Sequence, residues 1–245
     1  MILPFPHAWA SSPERFAIAL AVTVSFAAIA RALRGVNRSG MFAGGLACFL
    51  LFAGNGPAAF GVLTTLFVLT WASTLLGHQR KLELGLAERG DGRNARQVLA
   101  NLAVAAIASL AFTANGKAVW PLILVSALSE AATDTVASEV GQSRSRTSIL
   151  ISSGKQVPAG TDGGITPVGT VAGAAAGVVI AATSALGGLI LSRQLWIPAT
   201  AGFAGMLLDS ILGATVQRRG WLSNEMVNLL ATLAAAAIVL LVAGR

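Results

Sequence analysis

The sequence predicts an all-α, polytopic membrane protein of about eight transmembrane helices, seven being the alternative count, in a single integral-membrane domain over residues 1–245. Three observations predict it. Hydrophobic residues make up 55% of the chain and charged ones only 11%, with a mean hydropathy of +0.73, so a folded surface could not be kept wet. The apolar residues come in continuous runs of roughly 17 to 25, the length that crosses the hydrocarbon core of a bilayer. Those runs are rich in Leu and Ala and lack the alternation of a lipid-facing strand, which excludes a membrane β-barrel.

In order, the spans read 15–34, 40–54, 57–77, 97–114, 118–138, 167–191, 197–217 and 222–243. The second is short. It is kept because 40–77 is too long an apolar stretch for one crossing, and Gly54-Asn55-Gly56-Pro57 is a strong turn signal inside it. Basic residues give an independent check, since Lys and Arg gather in cytoplasmic loops. Thirteen of the 17 fall after spans 1, 3, 5 and 7: Arg31, Arg34 and Arg38; Arg80, Lys81, Arg89, Arg93 and Arg96; Arg144, Arg146 and Lys155; Arg218 and Arg219. Arg15, Lys117, Arg193 and Arg245 lie on the other side. This asymmetry places both termini on the non-cytosolic side, with cytosolic loops at about 78–96 and 141–166, and a multi-pass protein in the cytoplasmic (inner) membrane. The net charge of +7 then reads as topology rather than nucleic-acid binding.

Cys48 is the single cysteine, so an internal disulfide and a cysteine metal site are both excluded. Met1 to Pro6 read as a short external leader before a retained first helix. His7 and His78 are too isolated for metal or base work.

Depth carries the most information. Asn101 opens the fourth span; Glu130 and Asp134 end the fifth; Asp209 and Gln217 occupy the second half of the seventh; Asn224, Glu225 and Asn228 open the eighth. All belong to the cytosolic half. A transporter places its polar groups near the midplane with access from both faces, so the one-sided pattern favours an enzyme working from the cytosol. Glu130, Asp134 and Ser138 share a helical stripe. Glu139 is about 140° around from Asp134 in a regular helix, so the two carboxylates meet one ion only if the helix loosens near Gly141. Glu130 and Glu225, near the interface, divide evenly between a site role and simple solvation. Gly202, Gly205, Asp209 and Gly213 follow a small-residue seam that permits close helix contact. A bare carboxylate in that seam needs a cation or a proton. The loop 141–166 supplies hydroxyls, Lys155 and the run Gly160-Thr161-Asp162-Gly163-Gly164 ahead of a helix N-terminus, an arrangement suited to an anion.

At these residues the chain resembles the integral-membrane family that includes plant phytyl-phosphate kinase of the vitamin E pathway and many uncharacterised bacterial and archaeal relatives. The stretches that carry the likeness are Arg96–Asn101, Asp134–Gly141, Lys155–Gly164, Leu208–Gln217 and Asn224–Asn228. A fainter likeness, an Asp followed by a Lys and a glycine loop, links the pattern to CTP-dependent polyprenol and dolichol kinases.

The resemblance implies a Mg²⁺-dependent kinase that transfers a nucleotide γ-phosphoryl, CTP by preference, to an isoprenyl monophosphate of phytyl or geranylgeranyl type. It implies Asp134, Glu139 and Asp209 as metal ligands, and Lys155 with Gly160, Thr161, Asp162, Gly163 and Gly164 on the triphosphate. Arg93 and Arg96, with Arg38 as a further candidate, would take the lipid phosphate. Asn101, Ser210, Gln217, Asn224 and Asn228 complete the polar set. Partners are then a nucleoside triphosphate, an isoprenyl phosphate and membrane lipid, with no nucleic acid. Small-molecule or ion transport, and polyprenol-kinase or cytidylyl-transfer chemistry on a lipid, are the competing functions. Arg31, Arg34, Arg80, Lys81 and Arg89 read as topology signals rather than ligands.

Overall fold

The computed structural model describes residues 7–87 and 90–243; the leader Met1–Pro6, Arg89 and Arg245 lie outside the described residues. Helix α1, Pro13–Ala32, starts where Ser12 accepts the Arg15 N–H and proline occupies the first turn. Helix α2, Arg38–Leu75, is capped by the Asn37 side chain on the Gly40 N–H. Its 38 residues would run about 57 Å if straight, far more than a bilayer core. Gly56, at φ 71° and ψ −161°, breaks it next to Pro57. The halves fold back on each other: Trp71 near the C-terminal end donates its indole N–H to the Leu33 carbonyl, just before the helix starts. The Trp9 N–H meets the Gly54 carbonyl at the tip of this hairpin. The turn expected at 54–57 is therefore present.

A short helix α3, His78–Glu83, follows within the predicted loop 78–96. Helix α4, Ala95–Asn115, opens on a reciprocal cap between Asn94 and Gln97 and ends at left-handed Gly116. Helix α5, Val119–Arg144, is the centre of the bundle, packed against α2 and α4 and against the three helices that follow it in the chain. Those neighbours shield it from lipid, which explains how the most polar helix can cross the bundle. Strands β1 Thr147–Leu150, β2 Gln156–Pro158 and β3 Gly164–Ile165 then form a small antiparallel sheet in the order β2-β1-β3. Helix α6, Pro167–Leu186, is capped by Thr166; α7, Trp196–Leu212, runs on into a π-helical turn over Gly213–Gln217; α8 is Asn224–Ala243.

Six helical stretches among the described residues are long and apolar enough to cross a membrane: α1, α2, α4, α6, Ser192–Gln217 and the apolar part of α8. The all-α, multi-pass class follows. Two details differ from expectation. The loop 141–166 is not bare, because its first four residues continue α5 and its middle is a sheet. The helix does not loosen at Gly141; it is regular to Arg144.

The four basic loops meet at one end of the bundle. The Asn37 N–H bonds the Arg93 carbonyl, a Cβ on Gly77 would touch Ser143, and Gly163 lies against Ala214.

Candidate functional site

The site begins with how closely α7 approaches α5. A Cβ on Gly202 would lie 2.4 Å from Ser129 Oγ, and one on Gly205 would lie 2.5 Å from Glu130 Cγ. Only glycine permits this spacing, and it carries Asp209, one turn further on, into the field of Asp134. Asn228 on α8 completes the group. With its amide nitrogen turned to the acceptors, it donates to Asp209 Oδ2 at 3.0 Å and to the Asn224 carbonyl at 3.2 Å.

The glycine run closes the other side. Gly160 and Gly163 sit at φ 80° and 73°, and a Cβ on Gly163 would lie 2.3 Å from the Ala214 nitrogen, so the loop tucks against the end of α7. Asp162 is hydrogen-bonded by Gln217; burial pushes its carboxyl up, while Arg218 and that bond pull it back down. Thr166 and Thr170, from the start of α6, also face the space, so a helix N-terminus opens onto it.

These groups line a polar cavity of about 250 Å³. It gathers Asp134, Glu139, Asp209, Gly160, Thr161, Asp162, Gly163, Gly164, Arg93, Asn101, Ser210, Gln217, Asn224 and Asn228 from four helices, the glycine loop and the segment before α4. Arg93 is the cation whose charge acts on Asp134. Two expected residues do not reach it. Arg96 is exposed on the first turn of α4, and Lys155 is exposed where the turn between β1 and β2 ends, its N–H on Ser153 Oγ. Arg38 is also elsewhere, beside Arg31 and Asp91 on the outer surface of the α1–α2 corner.

Glu139 borders the cavity, but its carboxylate is engaged: Lys81 Nζ holds Oε2 and Thr74 Oγ1 donates to Oε1 at 3.2 Å. Because α5 stays regular, Glu139 turns toward α3 instead of joining Asp134. Glu130 is not at a wet interface either; it is 1% exposed, with no hydrogen-bond partner for either oxygen among the described residues. Gln97, Thr135, Ser148 and Thr170 line the cavity without having been singled out in the sequence. For Gln97 the signal was present, four residues before Asn101 on one helical face. For Lys81 there was none.

A second, apolar groove of about 320 Å³ lies between α1, the α2 hairpin and α4, with Phe26, Met41, Leu63, Phe67 and Trp71 on its walls. Arg93, Gln97 and Asn101 line both spaces.

No group of three or more His, Cys, Asp or Glu among the described residues is placed to hold a metal unaided. Besides the engaged Glu139, the cavity holds Asp134 and Asp209 on facing helices and Asp162 on the glycine loop. This donor set fits Mg²⁺, which binds through one or two carboxylates together with phosphate oxygens and water.

The sequence profile of a family described as integral membrane protein DUF92 matches residues 21–236. An uncharacterized membrane protein of Synechocystis sp. is 34% identical over 197 residues, 78% of this chain and 76% of the relative. Protein VTE6, chloroplastic, of Arabidopsis thaliana is 30% identical over 205 residues, 80% of this chain and 62% of the relative's length. An uncharacterized membrane protein of Methanocaldococcus jannaschii is 29% identical over 236 residues, 93% and 94% of the two chains. No solved structure matches.

Proposed function

Because the chain belongs to the integral membrane protein family DUF92, we propose that it is a membrane phosphotransferase that moves the γ-phosphoryl of a nucleoside triphosphate, CTP by preference, onto an isoprenyl monophosphate. The observation that carries this reading is the wall shared by Arg93, Gln97 and Asn101 between a polar cavity and an apolar groove. An amphiphilic phosphate is the ligand such a junction suits. Its chain lies in the groove and the adjoining bilayer, and its head meets the Arg93 guanidinium.

The polyphosphate of the nucleotide occupies the polar cavity, against the glycine loop and the N-terminus of α6. An oxygen of the acceptor monophosphate attacks the γ-phosphorus, the bond from that phosphorus to the β–γ bridging oxygen breaks, and the nucleoside diphosphate leaves. The attacking oxygen is already ionised, so no general base is required, and no histidine is among the described residues that line the cavity. The work left to the protein is positioning and charge compensation. Asp134 and Asp209 would hold Mg²⁺, which when bound neutralises the phosphates; Asn228 keeps Asp209 oriented. Similarity to protein VTE6 and the motif resemblance to the phytyl-phosphate kinase family support the assignment. The basic loops favour an active face on the cytosolic side of the inner membrane.

The test is product analysis. Purified protein with Mg²⁺, labelled CTP and phytyl or geranylgeranyl monophosphate yields the prenyl diphosphate and CDP. Release of pyrophosphate would instead identify cytidylyl transfer, and no product with any nucleotide or chain length would refute the kinase reading.

A further inference from the structure

Lys81 is 1% exposed, an unusual burial for a residue type that marks cytosolic loops elsewhere in this chain. It projects from α3 under the end of the α2 hairpin. Its ammonium donates to the carbonyls of Thr74 at 2.6 Å and Ser73 at 3.4 Å, and to Glu139 Oε2. Three donors thus meet three acceptors. The two carbonyls belong to the last turn of α2, where the helix dipole favours a cation. Thr74 bonds the other oxygen of Glu139 and also lines the apolar groove, while Glu139 lines the polar cavity. A buried pair of this kind adds little stability over apolar packing, so its interest lies in what it does to charge.

The polar cavity already contains Asp134, Asp209 and Asp162, set against Arg93 and a helix N-terminus. A fourth bare carboxylate on its wall would repel a polyphosphate. We propose that Lys81 is a positioning residue for the nucleotide: by neutralising Glu139 and turning it toward α3, it keeps the cavity receptive to a triphosphate. This rests on the reading above, that the polar cavity holds nucleotide phosphates. It also gives Glu139 a role different from metal ligation.

The pair makes a specific kinetic prediction, because the harm in losing Lys81 is a charge left behind and not a lost contact to substrate. Lys81→Met raises the KM for nucleotide about tenfold, the order expected for one like charge beside the bound anion. The KM for the isoprenyl phosphate and kcat change less than threefold. Removing the stranded charge as well, in Lys81→Met/Glu139→Gln, returns the nucleotide KM to within about threefold of wild type. Should Lys81→Met not fold, Lys81→Gln serves, since it keeps hydrogen-bond donors for Ser73 and Thr74 but not the charge. Rates are taken per folded protein, from thermal unfolding in detergent. A variant whose folded fraction alone falls, with both KM values unchanged, overturns the proposal, as does failure of the double variant to recover. Absence of transfer by wild type removes the function reading and this inference together, whereas active wild type with an unaltered nucleotide KM in Lys81→Met removes only the inference.

Discussion

Asn228 on α8 hydrogen-bonds Asp209 on α7 through its side-chain amide at 3.0 Å, and the same nitrogen reaches the Asn224 carbonyl one turn back on its own helix. The carboxylate is thereby fixed from a neighbouring helix and aimed into the cavity it shares with Asp134. A hydrogen bond to a charged acceptor is worth about 1.5–3 kcal/mol. Asn228→Leu accordingly lowers kcat/KM by about one to two orders of magnitude while leaving insertion and folding intact, as turnover and size-exclusion profiles in detergent together will record.

Asp209→Asn and Asp134→Asn separate function from stability. Each is nearly isosteric and exchanges a charge for a neutral amide, so relief of desolvation is set against weaker interaction with Asn228 or Arg93 and the thermal midpoint shifts by only a few degrees. Transfer falls by more than about a hundredfold, because charge compensation at the phosphates is the main catalytic work. A variant at either position with near-normal turnover would take that aspartate out of the site.

Glycine positions give a paired test. Gly163 and Gly154 both have positive φ, 73° and 67°, so an alanine at either strains the backbone by about 1–2 kcal/mol. At Gly163 the new methyl would meet a neighbour, 2.3 Å from the Ala214 nitrogen, whereas at Gly154 nothing among the described residues lies within 4 Å. Gly163→Ala therefore pushes the loop off the end of α7 and raises the nucleotide KM at least about tenfold, while Gly154→Ala costs some stability and leaves that constant unchanged.

The apolar groove has its own signature. Cβ atoms built on Gly44 and Gly45 would lie 3.7 Å from Val98 Cγ1 and Ala27 Cβ, ordinary contact distances. A leucine at Gly44 then fills groove volume without forcing helices apart. Gly44→Leu raises the KM for phytyl monophosphate about tenfold and leaves the nucleotide KM untouched. Equal changes in both would mean that the groove is not where the chain binds.

Much of this was legible in the sequence because a bilayer makes hydropathy and charge unusually informative. The turn at Gly54–Pro57 identified the α2 hairpin, and the depth of Asn101, Asp134, Asp209 and Asn228 within their helices anticipated side chains that do line one cavity. The rest depended on long-range packing. Strands of two to four residues carry no readable period, so the sheet was missed. Lys81 and Lys155 look alike in sequence, yet one is enclosed by the ends of α2 and α5 and the other sits on an exposed turn. Glu130 is buried because the glycine seam of α7 closes over it, which local hydropathy does not encode. Whether Glu139 joined Asp134 hinged on the regularity of α5, and Lys81 supplied the alternative partner.

On the proposed function, the groove and the cavity are two halves of one site that meet at Arg93, Gln97 and Asn101. Photo-crosslinking with a prenyl monophosphate carrying a reactive group on its chain tests it most directly, with adducts mapped by mass spectrometry. Labelling of Phe26, Met41 or Phe67, abolished by excess phytyl monophosphate and weakened in Arg93→Met, is the predicted result. Labelling confined to the outer faces of α6 and α7, indifferent to competitor and to Arg93, would contradict it.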